Sequence, residues 1–222
     1  MSLEHTSSTN PPSPTWLVVG LGVAALAAAM GIGRFAFTPL LPLMLRDGSL
    51  DGATGAGWAA ANYAGYLAGA ATAGWWSLQP GRGLRLSLLG VALATLAAAW
   101  IGDGTPLFAG LVVRAAAGVF SAWTLVCTSS VVLGTLARRG VPQLGAWVYA
   151  GVGIGIALAG TLTWLGGWQP ATRLWLQLGL AALVAAAAVI IGLRNIGYAA
   201  PVRVTAVTEL RSVPFVPLLC YA

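Results

Sequence analysis

The sequence predicts an all-α integral membrane protein whose six transmembrane helices form two inverted three-helix repeats. Three observations carry this. Of 222 residues, 58% are hydrophobic and 7% charged, against roughly 25% charged in a soluble domain. Apolar runs long enough to cross a bilayer alternate with short turns rich in Gly, Pro and Arg. The eleven basic residues are all arginine, and most of them crowd into every second turn, as the positive-inside rule expects.

Residues 1–15 (MSLEHTSSTNPPSPT) lack any apolar period and read as a disordered tail. The first helix spans 16–45. The second spans 57–78, with Ala61, Gly65, Gly69 and Ala73 forming a small-residue stripe for close packing. A basic turn, QPGRGLR, leads into the third helix at 86–102, where Trp100 suits an interfacial anchor. Helix four spans 107–136, helix five 143–168 and helix six 174–193. Helix five repeats the small-residue stripe at Gly151, Gly155 and Ala159. A polar linker at 195–213 follows the six-helix unit of 16–194. Residues 214–222 (PFVPLLCYA) turn apolar again and read as the start of a seventh helix.

Arginines set the topology. Arg82, Arg85, Arg138, Arg139, Arg194, Arg203 and Arg211 fall on one side. Arg46 and Arg173 fall on the other, offset by Asp47, Asp51 and Asp103. Both termini are therefore expected in the cytoplasm. The net charge of +6 in a soluble chain would suggest nucleic acid. Here the placement of the arginines explains it, and the expected surroundings are a lipid bilayer, with no nucleic acid. Cys127 and Cys220 have no metal-site spacing and make no disulfide framework, so no metal or cofactor is expected.

Two arginines break the rule. Arg34 sits within the apolar run MGIGRFAFTPLLPLML, and Arg114 within helix four. An arginine at the centre of a membrane helix costs about 2.5–3.5 kcal/mol on insertion scales. From the helical rise, Arg34 lies roughly 16 Å and Arg114 roughly 12 Å from the outer ends of their helices. The two charges thus belong at similar depth, each in the first helix of its repeat. Inverted repeats meeting at a central site are typical of secondary transporters. No Asp or Glu lies in any of the six apolar runs, so an unpaired cation there invites an anionic ligand. The structural alternative has Arg34 bonding carbonyls freed by Pro39 and Pro42, and Arg114 snorkelling to the outer interface.

On the face of Arg34 lie Met30, Thr38 and Leu41. On the face of Arg114 lie Gly118, Ser121, Leu125 and Thr128. The candidate substrate-binding residues are Arg34, Thr38, Arg114, Ser121, Asn62 and Tyr66, with Tyr63 a further candidate. Tyr149 and Trp147 read as packing or interface residues. Catalysis is not expected: an intramembrane serine protease needs a membrane histidine, and His5 lies in the tail. Proton coupling within this chain is not expected either, since its acids lie outside the helices and tyrosines titrate near ~10. The remaining alternatives are a non-transporting six-helix membrane subunit or a small channel.

Four stretches together resemble the YbfB/YjiJ family of the major facilitator superfamily: GIGRFAFTPLLPLML (31–45), AANYAGYLAG (60–69), RAAAGVFSAW (114–123) and GAWVYAGVGIGIALAG (145–160). The resemblance implies a bacterial inner-membrane transporter of a small solute working by alternating access. In the superfamily's gating loop between helices two and three, Gly74, Gly81 and Arg82 fit the pattern. Leu78 stands in place of its Asp, Gln79 in place of its first basic residue and Gly83 in place of its last. Arg114 with Gly118 is similar to the superfamily's helix-four arginine motif, with Ala117 where a Gln is usual. The glycine run of 151–160 resembles the helix-five antiporter motif without its proline. Superfamily members normally have twelve helices. The chain therefore resembles an amino-terminal half, and the implied partner is a carboxy-terminal half or a second copy.

Overall fold

The computed structural model describes residues 14–101 and 107–196. The tail, the Asp103–Pro106 turn and the segments expected at 195–213 and 214–222 lie outside the described residues, apart from Thr15, Asn195 and the ends nearest them. All regular structure among the described residues is helical.

Helix α1 runs as one rod over Thr15–Arg46. Its middle third, Ala27–Phe35, is a π-helix, after which α-helix resumes over Phe37–Arg46. The helical register therefore changes twice along this rod. A π segment is wider than an α-helix and occurs mostly at functional sites. Pro39 supplies no N–H to the turn before it. Gly31 and Gly33 allow other elements to approach the π segment closely: a methyl group added at Gly31 would lie 2.3 Å from the backbone of Gly155.

Helix α2 covers Gly52–Thr72 and ends in a 3-10 turn at Ala73–Trp76. It starts five residues before the sequence-based boundary, because Asp51 accepts the Thr54 N–H at 2.7 Å and caps the first turn. Helix α3 begins at Pro80 and, with a closing 3-10 turn, ends at Trp100. Its start also precedes the expected one, since a proline in the first turn forfeits no hydrogen bond. Helix α4 runs from Leu107 to Arg138 and contains a second, shorter π segment at Ser129–Leu133. Helix α5 covers Gly145–Leu165 and α6 covers Ala171–Asn195.

Five of these helices are long and apolar enough to span a membrane. Helix α2 has the length, at 21 residues, but Gly, Ala, Asn, Tyr and Thr make most of it and lower its apolarity. Its small side chains serve packing. A methyl at Gly65 would lie 2.0 Å from the Ala115 carbonyl oxygen, and one at Gly118 would lie 2.2 Å from that of Asn62. Helices α2 and α4 therefore touch backbone to backbone. Helices α1 and α5 do the same: a methyl at Gly151 would lie 2.3 Å from the Val23 carbonyl oxygen, and one at Gly155 2.3 Å from that of Ala27. Between bilayer-embedded helices, such van der Waals contact replaces the hydrophobic effect as the driving force.

The principal packing pairs obey one exchange. Helix α2 packs on α4 as α5 packs on α1, and α3 packs on α4 as α6 packs on α1. Exchanging α1, α2, α3 for α4, α5, α6 thus preserves these neighbours. Three crossings separate the equivalent helices, so the two units run in opposite directions. This is the inverted repeat that the sequence led one to expect.

A polar clasp closes the end of the bundle that carries the α1–α2 turn. Asp47 accepts the first N–H of α6, that of Ala171, at 2.7 Å. Arg46 pairs with Asp47 at 2.8 Å and donates to the carbonyls of Gly167 and Gln169. The Asp47 carboxyl is held below the usual carboxylate range by the Ala171 N–H, with Arg46 adding to the effect and partial burial opposing it. Trp100, Phe108, Trp164 and Trp168 are exposed at this same end, where amphipathic rings suit a bilayer interface.

Candidate functional site

The two intrahelical arginines come together, as their depths along the sequence imply. Arg114 projects from α4 onto the π segment of α1. It donates to the Gly33 carbonyl at 3.5 Å and the Arg34 carbonyl at 3.3 Å. Its guanidinium carbon lies 4.6 Å from the Phe37 ring centroid, and the residue is 3% exposed. Arg114 does not snorkel. It takes up carbonyls near Pro39, the role that sequence reasoning offered to Arg34. Its main-chain carbonyl in turn accepts from Asn62 Nδ2 at 2.9 Å, which ties α2 to the same point.

Arg34 is held differently. Its guanidinium carbon lies 3.8 Å from the ring centroid of Tyr66, 5.1 Å from that of Tyr63 and 5.4 Å from that of Phe35. Its buried Nε has no hydrogen-bond partner. Among the described residues no hydrogen bond or carboxylate meets this cation, and aromatic faces alone surround it. An aromatic face attracts a cation by about 0.5–2 kcal/mol, well short of what a paired carboxylate supplies in a low-dielectric site.

These side chains line a cleft of about 280 Å³, counting its open mouth. Arg34, Phe35, Phe37 and Thr38 come from α1, Ala59, Asn62 and Tyr63 from α2, and Arg114 from α4. Thr38 and Tyr63 are exposed. Of the residues expected from sequence, Arg34, Thr38, Asn62 and Arg114 share this cleft, and Tyr66 backs Arg34. Ser121 lies apart. It is fully buried and donates to the Ala29 carbonyl at 2.8 Å, joining α4 to α1. Phe35 and Phe37 were missed by the sequence reasoning. They lie one and three residues from Arg34, and the change of register between π and α turns both toward the cleft. Their signal in the sequence was adjacency to Arg34.

The loop residues Gly74, Gly81 and Arg82 are at the opposite end of the bundle from the clasp. Gly74 lies in the 3-10 turn closing α2, and Gly81 in the first turn of α3. Arg82 donates to Gln79 Oε1 at 2.7 Å. Next to them Trp123 stacks edge-on against Trp76, with ring centroids 5.4 Å apart, and donates to Thr72 Oγ1 at 3.0 Å. Tyr149 is hydrogen-bonded to Ser129 at 3.0 Å, linking α5 to the π segment of α4.

The family described as uncharacterised MFS-type transporter YbfB matches residues 26–221. That span takes in the π segment, both arginines and all six helices but the first turns of α1. The chain belongs to this MFS-type transporter family. It is accordingly a multi-pass membrane protein of the transporter class, as the four quoted stretches implied. Among curated proteins and among solved structures, no match was found.

Proposed function

We propose that the chain is a secondary transporter that carries a small anionic solute by alternating access, with Arg34 as its anchor. One observation carries this reading: the guanidinium of Arg34 lines an open cleft with aromatic neighbours and, among the described residues, no carboxylate. A cation so placed gains most when an anion arrives. Arg114 lies deeper and spends two of its donors on main-chain carbonyls, so it shapes α1 and adds positive potential to the cleft. Asn62, Thr38 and the Tyr63 hydroxyl add to the polar lining. In this reading the open side of the cleft is covered by a second six-helix unit, supplied either by further sequence or by a second copy. The protein resides in a bacterial inner membrane with both termini cytoplasmic, and its function is transport, with no chemical step.

Solute-dependent thermal stability of the purified chain in detergent tests this. A panel of small carboxylates, phosphates, cations and neutral solutes is screened against the wild type and Arg34→Ala. Binding at a hundredfold excess over Kd stabilises by about 2.7 kcal/mol. Anions alone are expected to stabilise, and Arg34→Ala is expected to abolish the effect. Stabilisation by cations or neutral solutes, or an anion effect unchanged in Arg34→Ala, would overturn the proposal.

A further inference from the structure

We infer that the solute is a monoanionic carboxylate with a flat apolar body, gripped by the in-plane fork of Arg34 while Tyr66 supports the guanidinium from behind. The inference rests on the anionic reading above and narrows it.

The charge count comes first. Two guanidiniums line the cleft, but they are not equally available. Arg114 is 3% exposed and has two nitrogens on the Gly33 and Arg34 carbonyls. Arg34 has no hydrogen-bonded partner among the described residues, and its guanidinium carbon lies over the Tyr66 ring, 3.8 Å from the centroid. A cation–π contact of this kind occupies none of the N–H donors with an oxygen acceptor. Those donors match a carboxylate two at a time. One free fork balances one carboxylate. A second carboxylate on the solute would have to be desolvated against Arg114, which is buried and already holds two main-chain carbonyls.

The body of the solute follows from the walls. Phe35, Phe37 and Tyr63 present rings to the cleft. Among the described residues the polar groups beyond the arginines are those of Thr38 and Asn62 and the Tyr63 hydroxyl, and Asn62 Nδ2 is already committed to the Arg114 carbonyl. A sugar or other polyol would leave most of its hydroxyls unpaired against these rings, at a desolvation cost for each. A planar apolar body pairs with aromatic walls by offset or edge contacts.

Tyr66 is a positioning residue in this scheme. It touches Arg34 at 3.8 Å and is absent from the cleft lining. Its ring is what Arg34 needs, and its hydroxyl is dispensable.

The test measures binding to the full purified chain in detergent by calorimetry and by thermal stabilisation. The probes are benzoate, cyclohexanecarboxylate, phthalate, citrate, inorganic phosphate and benzamide. Benzoate is expected to bind best, and benzamide, of the same shape without the charge, is expected not to bind. Phthalate and citrate are expected to bind at least tenfold more weakly than benzoate. Arg34→Lys, which keeps the charge and loses the fork, is expected to weaken benzoate about tenfold or more. Tyr66→Phe is expected to stay within about twofold of wild type, and Tyr66→Leu to lose about fivefold, the scale of one cation–π contact. Circular dichroism and monodispersity of each variant establish that it is folded, and Tyr66→Phe provides the rescue. Tighter binding of citrate, phosphate or phthalate, lost in Arg34→Ala, would overturn the flat monoanion while leaving the anionic reading in place. Equal binding of benzoate and cyclohexanecarboxylate would remove the planarity, and equal losses in Tyr66→Phe and Tyr66→Leu would remove the ring's role. Benzoate binding that survives in Arg34→Ala, or no binding by any anion, would sink both readings together.

Discussion

Two glycines in one run make opposite predictions. In GVGIG of α5, Gly153 has nothing within 4 Å of where a methyl would stand. Two residues on, a methyl at Gly155 would lie 2.3 Å from the Ala27 carbonyl oxygen and 2.8 Å from the Gly31 Cα. Both are helical, and alanine is the better helix former by roughly 0.8–1.0 kcal/mol. Gly153→Ala should therefore leave stability unchanged or raise it by up to that amount. Gly155→Ala meets main-chain atoms, which cannot rotate away as a side-chain tip can. To restore ordinary contact, α1 and α5 must part by about 1 Å, and a gap of that size forfeits a quarter to a half of the dispersion attraction across it. Overpacking of this kind costs about 1–3 kcal/mol. The helix-propensity gain offsets part of it, leaving a net loss of up to about 2 kcal/mol. The two variants should thus differ by about 2 kcal/mol, although each removes one glycine from the same helix. The assay is the fraction of detergent-purified protein that stays monodisperse after heating, with unfolding in a denaturing detergent as a second measure. Equal stability of the two variants would refute the backbone contact between α1 and α5. It would also remove the support that this contact gives to the π segment.

The clasp gives a pH prediction. The folded Asp47 carboxyl titrates below its unfolded value, so its contribution is full above the ordinary carboxylate pKa and disappears as pH falls through the lowered one. Wild type should melt higher than Asp47→Asn at pH 7, and the gap should narrow as the pH is lowered below the ordinary carboxylate range. Asp51, whose carboxyl is lowered by its hydrogen bonds to Thr54, is present in both proteins and cancels from the comparison. A gap that stays constant down to the pH at which the folded Asp47 carboxyl is protonated would show that the carboxylate charge is irrelevant to the clasp. Orientation is checked by single cysteines in a cysteine-free background. At the exposed position of Gln79, labelling should require permeabilised cells. At the exposed position of Ala53, intact cells should label. The reverse pattern would turn the topology over.

The sequence displayed the helices because a bilayer permits few alternatives. Apolar runs bounded by Arg46–Asp47 or Arg138–Arg139 can only be rods, and the rods appear where expected. Helix starts were less legible. Asp51 and Pro80 each begin a helix several residues before the apolar run does, because capping chemistry acts on the backbone and leaves no mark on hydropathy. The π segment was not legible at all. Its glycines and prolines permit a bend, a kink or a change of register, and the choice depends on what packs beside them. Here that neighbour is Gly155, more than a hundred residues away in sequence.

The depth of the two arginines needed only the helical rise, but their division of labour needed the fold. On sequence alone each arginine has a structural alternative, and that of Arg34 rests on Pro39, which lies five residues further on and leaves carbonyls without N–H partners. A side chain cannot easily reach back to the carbonyls of its own turn, however, and Arg34 would have to fold against its own backbone to do so. Arg114 approaches the same carbonyls from the facing helix and reaches them without bending α1. With Arg114 in that position, Arg34 lines the cleft, where the rings of Phe35, Tyr63 and Tyr66 lie against its guanidinium. The aromatic side chains in AANYAGYLAG then become intelligible. Tyr63 and Tyr66 are three residues apart on one face of α2, the spacing needed to bracket a single cation with two rings. A helix meant only for close packing would have kept small residues there. The pair of rings holds a charge without neutralising it, as the proposed anion-binding step requires.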